Sequence, residues 1–137
     1  MIGVGKVRFT STVPRDNDNL DSLRADAILA SQPIVLSHPT RSEYRSRSAK
    51  VARYVLARSN GICEACKKPA PFTRTNGAPY LEIHHTRRLA DEGPDDILHV
   101  TAICPNCHRE AHFGSDLEGF REKIEAYIAE KERRNHQ

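Results

Sequence analysis

The stretch Cys104-Pro105-Asn106-Cys107-His108-Arg109-Glu110-Ala111-His112 places two kinds of metal-binding side chain on one short segment. Cys104 and Cys107 have the knuckle spacing that lets two thiolates reach one tetrahedral ion. Pro105 suits the first turn of a helix and Gly114 closes it, so the spacing predicts a helix over Pro105–Phe113. On that helix His108 and His112 share one face, with β-carbons about 5–6 Å apart, as a shared ion requires. Successive helical residues are rotated by about 100°, so the Cys107 thiolate and the His108 imidazole can face different ions.

Working outward, Cys63 and Cys66 form a second pair of the same spacing, and the chain has no other cysteine. Three disulfide pairings are formally open to four cysteines, but in a reducing compartment two C-x-x-C pairs read as a structural zinc site. Residues 67–103 lie between the pairs, more than a simple zinc ribbon loops out, and the region is rich in histidine. Of seven histidines, His84, His85, His99, His108 and His112 fall within or just beyond the cysteine-bounded segment. Tyr80-Leu81-Glu82-Ile83-His84 alternates as a short strand does, and adjacent strand residues point to opposite sides. One histidine of the pair His84-His85 can therefore complete a metal set with the helix while its neighbour addresses another atom.

The remaining chain reads as scaffold. With 137 residues, 38% hydrophobic and 28% charged, it is one domain with a modest core of Leu, Ile, Val and Ala. Residues 1–41 form an accessory N-terminal segment: a weak strand over 1–13, a breaker, a helix from Leu20 behind Asn19, and a proline-bearing linker over 32–41. Residues 42–137 form the main unit. Its first helix, Ser42–Arg58, stops at Asn60-Gly61 and carries Arg41, Arg45, Arg47, Lys50, Arg53 and Arg58 at or beside it, against Glu43 alone. Such a run is either a solvated face or a phosphate contact. Lys67–Pro79 is loop or hairpin, Asp91–Asp96 a turn, and His99–Ile103 a second strand. Ser115 or Asp116 caps a last helix striped by Leu117, Phe120, Ile124, Tyr127 and Ile128. The formal net charge of +3 does not demand a polyanionic partner, but clustering permits one. No apolar run approaches the roughly 20 residues of a membrane span and no secretory signal is evident, so a soluble cytoplasmic protein is expected.

Taken together, Gly61-Ile62-Cys63-Glu64-Ala65-Cys66, Leu81-Glu82-Ile83-His84-His85, Gly93-Pro94-Asp95-Asp96 and Ala102-Ile103-Cys104-Pro105-Asn106-Cys107-His108-Arg109 with His112 resemble an HNH endonuclease. The similarity is greatest to the bacterial branch that includes modified-cytosine-dependent restriction nucleases, and it runs from about Tyr44 to Gly114. It implies an α+β fold: a ββα-metal core of two antiparallel strands and a helix, buttressed by a four-cysteine zinc knuckle and flanked by helices. It further implies that His84, His108 and His112 bind a catalytic divalent ion and that His85 is the general base. The family's middle asparagine, which pins the loop bearing the base, is replaced here by His99. An imidazole can keep that positioning role, add a metal ligand, or mark a weakened enzyme.

The resemblance implies metal-dependent hydrolysis of double-stranded DNA, with a use in restriction of modified DNA. An ion among three imidazoles acts as a Lewis acid on phosphate oxygens. A histidine base, with an ordinary pKa of about 6.5, takes a proton from water, so activity is expected to fall on acidification. Nitrogen ligands favour Zn²⁺, Mn²⁺, Ni²⁺ or Co²⁺ over Mg²⁺. Arg87, Arg88 and Arg109, beside the motif residues, and Arg45, Arg47, Lys50 and Arg53 on the basic helix are the candidate DNA contacts. Cutting both strands calls for two sites, so a homodimer is a reasonable expectation. The competing reading is a zinc-stabilised nucleic-acid-binding module that has lost catalysis; a third is a structural zinc domain mediating protein contacts.

Overall fold

The computed structural model describes residues 13–31, 41–88 and 93–136, the side chains of 41–47 excepted. The expected N-terminal strand, the linker after residue 31 and part of the turn at 91–96 lie outside the described residues. The described residues form four helices and one small sheet: α1 (Leu20–Ala30), α2 (Arg41–Ser59), β1 (Glu82–His85), β2 (Val100–Ile103), α3 (Pro105–Phe113) and α4 (Leu117–Asn135).

Local chemistry sets the helix ends. Asn19 caps α1 by accepting from the Ser22 N–H at 3.2 Å, and Asp116 caps α4 by accepting from the Gly119 N–H at 2.9 Å. After α2 the chain turns through Asn60 and Gly61 at φ of 50° and 78°, the left-handed stop that this dipeptide predicts. A β-carbon on Gly61 would also sit 3.1 Å from the Pro79 ring, so the hairpin packs closely there. The Cys104 thiol caps α3, accepting from the Cys107 N–H, and Pro105 fills the first turn.

The two strands pair antiparallel, with Glu82 opposite Ile103, Ile83 opposite Ala102, His84 opposite Thr101 and His85 opposite Val100. The first strand thus lies later than the alternation suggests, taking in His85 and releasing Tyr80. His99 falls just outside the second strand. Asp96 explains this: its Oδ1 accepts from the N–H groups of Leu98 and His99, an Asx turn that withholds them from the ladder. Every residue of β2 is buried, against α2 on one side of the core cluster of Val51, Tyr54, Val55, Leu81, Val100 and Ile103. Leu23 and Ala27 of α1 enter the same core, so the described part of the accessory segment shares it. In α4, Ile124 and Ile128 are buried as the stripe predicts, but Leu117, at the helix start, is exposed.

The core also holds charge. Arg58 is 3% exposed, and its guanidinium grips Glu64 through two bonds of 2.8 and 2.9 Å. It also donates to the carbonyls of Ile97 and Val100 and to Glu132. Glu64 lies inside the first cysteine pair and also accepts from the Thr101 hydroxyl and the Ala102 N–H. Glu132 of α4 accepts from the Tyr54 hydroxyl and from Arg24 of α1. Arg58 therefore does not belong with the cations available to phosphate. It joins the basic helix, the cysteine knuckle, the sheet and α4, with every donor of the fork engaged, as a buried guanidinium requires.

Candidate active site

Strand alternation sends His84 toward α3. Its ring centroid lies 5.2 Å from that of His108 and 5.1 Å from that of His112, which are 5.0 Å from each other. One nitrogen of each ring lies within 4.8 Å of the others, so the three imidazoles converge on a space that one ion can occupy. Burial, then the neighbouring His108, His112 and His85, push the His84 pKa down to about 4. Its ring is therefore neutral at physiological pH, the form that offers a lone pair to a metal.

Glu82 lies two residues before His84 on the same strand face. Its Oε1 is 2.9 Å from His108 Nδ1, and its Oε2 accepts from the Tyr80 hydroxyl at 2.7 Å. These bonds, Tyr80 first and then His108, hold the Glu82 carboxyl below its ordinary range. A carboxylate on Nδ1 fixes the His108 ring and leaves Nε2 as the donor, the usual support of a metal-bound histidine. Beside it, Pro105, Arg109 and His112 complete the wall of an open cleft of about 470 Å³.

His85 points away from this cluster. Its Nε2 lies 3.0 Å from Oδ1 of Asp95, a buried residue of the loop before β2. His99 does not join the three imidazoles: its Nδ1 is 2.8 Å from Asp96 Oδ1. Its main chain does touch the segment bearing His85, because the His99 carbonyl accepts from the N–H and the hydroxyl of Thr86 at 2.9 and 3.2 Å.

The four cysteines are free thiols whose sulfurs also gather within 4.8 Å. Sγ of Cys63 accepts from the N–H groups of Cys66 and Cys104, and Sγ of Cys104 from Cys107. Burial works against the Cys63 thiolate, but these N–H groups outweigh it and bring the pKa down to about 7. A tetrad of soft donors, buried at Cys63 and Cys107 and exposed at Cys66, fits zinc. Burial and the adjoining sulfurs push the Cys107 thiol the other way, up.

Among the predicted DNA contacts, Arg109 is exposed at the cleft and Lys50 is exposed on α2. Arg87 is tied to Glu125 by bonds of 2.9 and 3.1 Å, and Arg53 to Asp18. Arg88 is exposed, and the side chains of Arg45 and Arg47 lie outside the described residues. Sequence reasoning missed the supporting carboxylates Glu82 and Asp95. Period-two alternation places Glu82 on the His84 face and was signal enough; nothing local couples Asp95 to His85.

Two short strands, a following helix, three converging histidines and a four-cysteine knuckle define the ββα-metal class. The family model of the HNH endonucleases matches residues 63–114. The chain is 37% identical over 110 residues to the type IV methyl-directed restriction enzyme EcoKMcrA of Escherichia coli (strain K12), covering 75% of this chain but 40% of that enzyme. The solved structure of the type IV phosphorothioation-dependent restriction endonuclease ScoMcrA matches with a TM-score of 0.67 at 24% identity, over 88% of this chain and 24% of that one. The second likeness is one of fold. The chain thus spans well under half the length of either relative. Among the described residues no helix is long and apolar enough to cross a membrane.

Proposed function

We propose that this protein is a metal-dependent DNA endonuclease that hydrolyses phosphodiester bonds of double-stranded DNA in restriction of modified DNA. Residues 42–137 are the nuclease unit and 1–41 an accessory segment. The observation that carries the reading is the convergence of His84, His108 and His112, with His85 directed to the other side of the same strand. The chemistry of this donor set fits a divalent transition ion (Zn²⁺, Mn²⁺, Ni²⁺ or Co²⁺) better than Mg²⁺. When bound, that ion supplies positive charge to the phosphate oxygens and the departing 3′ oxygen.

The chain's own groups do the rest. His85 removes the proton from the attacking water. Asp95 accepts a hydrogen bond from the Nε2–H of His85, which leaves Nδ1 as the free, proton-accepting nitrogen. Glu82 holds His108 in register. His99 positions the base through its carbonyl, which anchors Thr86, so that the ring can differ from asparagine. Arg109 and Arg88 contact phosphate near the cut, with Lys50 of α2 as a further phosphate contact. The four cysteines hold a structural Zn²⁺, and a homodimer supplies the second site for a double-strand cut.

The test is cleavage of supercoiled plasmid, methylated and unmethylated, with Zn²⁺, Mn²⁺, Ni²⁺, Co²⁺ and Mg²⁺ in turn. Nicking that disappears in His85→Ala, with fold and zinc content intact, is the expected result. Full activity of that variant overturns the assignment of the base. The place of His99, where the family has asparagine, favours a second reading, a nucleic-acid-binding module without catalysis. Duplex binding with no cleavage across the whole metal panel selects it.

A further inference from the structure

The segment that follows the proposed base is gripped from two directions. On its inner side Asp95 holds the His85 ring, and the His99 carbonyl accepts from the N–H and the hydroxyl of Thr86 at 2.9 and 3.2 Å. Gly93 closes the loop behind it. Its N–H donates to the Arg88 carbonyl at 2.9 Å, and a β-carbon there would lie 2.6 and 2.7 Å from the carbonyl oxygens of Arg88 and Arg87. On the outer side stands α4. Arg87 Nε donates to Glu125 Oε1 at 2.9 Å and its Nη2 to Oε2 at 3.1 Å, a two-pronged bond between residues 38 apart in the chain. Burial would raise the Glu125 carboxyl, but the hydrogen bonds of Arg87 and then Thr86 outweigh it and hold the group below its ordinary range. Glu118 and Glu122, two turns and one turn earlier on the same helix face, add their charge at Arg87.

We propose that Glu125 is a positioning residue of the nuclease site, which through Arg87 and Thr86 fixes the backbone directly after His85 and so keeps that imidazole seated against Asp95. The proposal rests on the nuclease reading. Arg87 thereby passes from DNA contact to support of the base. With both oxygens of Glu125 on its fork and two more glutamates nearby, the guanidinium stands in a negative field, which disfavours a DNA phosphate and favours the neutralised pair. The Arg87 side chain is 46% exposed, and an ion pair so open to solvent contributes little to global stability. What a two-pronged bond adds is direction, because a planar fork set on a carboxylate fixes the course of the chain that carries it. A reacting group displaced by about 1 Å can lose on the order of 10²-fold in rate, so a contact of small energetic worth can govern kcat.

The test compares the full chain with Arg87→Ala, Glu125→Ala and the double variant on supercoiled plasmid with Mn²⁺. Each single change is expected to lower kcat about tenfold with KM and melting temperature unchanged, and the double variant to fall no further than either, since the two side chains act as one contact. Hydrogen exchange at the Thr86 amide, which donates to the His99 carbonyl, reads the same segment without cleavage and should quicken in all three variants. A raised KM at unchanged kcat in Arg87→Ala marks a phosphate contact and overturns the proposal. Unchanged kcat and exchange in Glu125→Ala, with the parent cutting normally, overturn it while the nuclease reading stands. Losses of activity that follow a lowered melting temperature assign the pair to general stability and likewise overturn it. A parent that binds duplex but cuts with no ion of the metal panel overturns the nuclease reading and the role of Glu125 with it.

Discussion

Oδ1 of Asp95 lies 3.0 Å from Nε2 of His85, and the carboxylate is only 4% exposed. A buried acceptor held against one imidazole nitrogen selects the tautomer protonated there and keeps the ring from swinging. Replacing Asp95 by Asn removes that preference, since the amide can donate as well as accept. Asp95→Asn is expected to lower kcat by on the order of 10²-fold, the size of a misdirected general base, while KM for DNA changes little. Plasmid nicking under saturating DNA measures it, and an unchanged kcat would remove Asp95 from the mechanism.

Glu82 stands in the same relation to His108, at 2.9 Å, but on the metal side. Loss of a carboxylate behind a ligating histidine weakens metal binding about 10–100-fold. Glu82→Gln is therefore expected to require that much more Mn²⁺ or Co²⁺ for half-maximal nicking and to bind it correspondingly less tightly in calorimetric titration. Zinc held by the cysteines, as proposed, is expected to stay bound. Equal titration curves for parent and variant would show that the bond is incidental.

Two ions of different tenacity follow from the two clusters. The tetrad is tied into the core by Cys63, whose sulfur accepts from the Cys66 and Cys104 N–H groups, whereas His112 stands exposed at the open cleft. A weak chelator should remove one ion per chain and stop cleavage without lowering the melting temperature. A strong chelator should remove the second and unfold the knuckle, because binding to a site absent from the unfolded chain contributes directly to folding. Elemental analysis beside circular dichroism at each step checks both; a single ion per chain would refute the two-site arrangement.

The helix from Pro105 to Phe113 and the gathering of its cysteines and histidines were legible because their signals are local: cysteine spacing, a proline in the first turn and histidines one turn apart need no tertiary context. The same holds for Asn19, Asn60-Gly61 and Asp116, whose side chains or φ angles act within three residues. The contacts that escaped are long-range. Arg58 reads as one more cation on a basic helix, and only the fold brings Glu64, Ile97, Val100 and Glu132 around it. Likewise Asp95 meets His85 only after the loop between β1 and β2 closes, and Asp18 reaches Arg53 only when α1 docks. Charge counts along a chain cannot separate a solvated arginine from one spent inside.

Arg58 yields a stability prediction for that reason. Arg58→Met fills comparable space but leaves Glu64 and Glu132 without their shared counter-charge in the core. Breaking a buried pair by removing one partner costs about 3–5 kcal/mol. Urea unfolding of the metal-loaded chain should register a loss of that size, and the double variant Arg58→Met with Glu64→Gln should recover part of it. A loss below about 1 kcal/mol, the worth of an exposed pair, would mean that water reaches the network.

The acid limb of the stability curve should be set in part by Glu132. Burial alone would raise its carboxyl, but the hydrogen bonds from Tyr54 and Arg24 and the charge of Arg58 outweigh burial and hold it below the ordinary 4.5. With the folded pKa depressed, the unfolded chain binds the proton first. The stabilisation is therefore fully present above pH 4.5 and is lost as pH falls through the lower folded value. Glu132→Gln, which cannot ionise, should melt earlier than the parent at pH 7, and the gap should narrow steadily as pH falls below about 4.5. Calorimetric melting temperatures of the two chains across that window, read alongside zinc content so that loss of the tetrad's ion is separated from protonation of Glu132, decide it. A gap of constant width would assign the contribution of Glu132 to packing of its side chain between α1, α2 and α4 rather than to its charge.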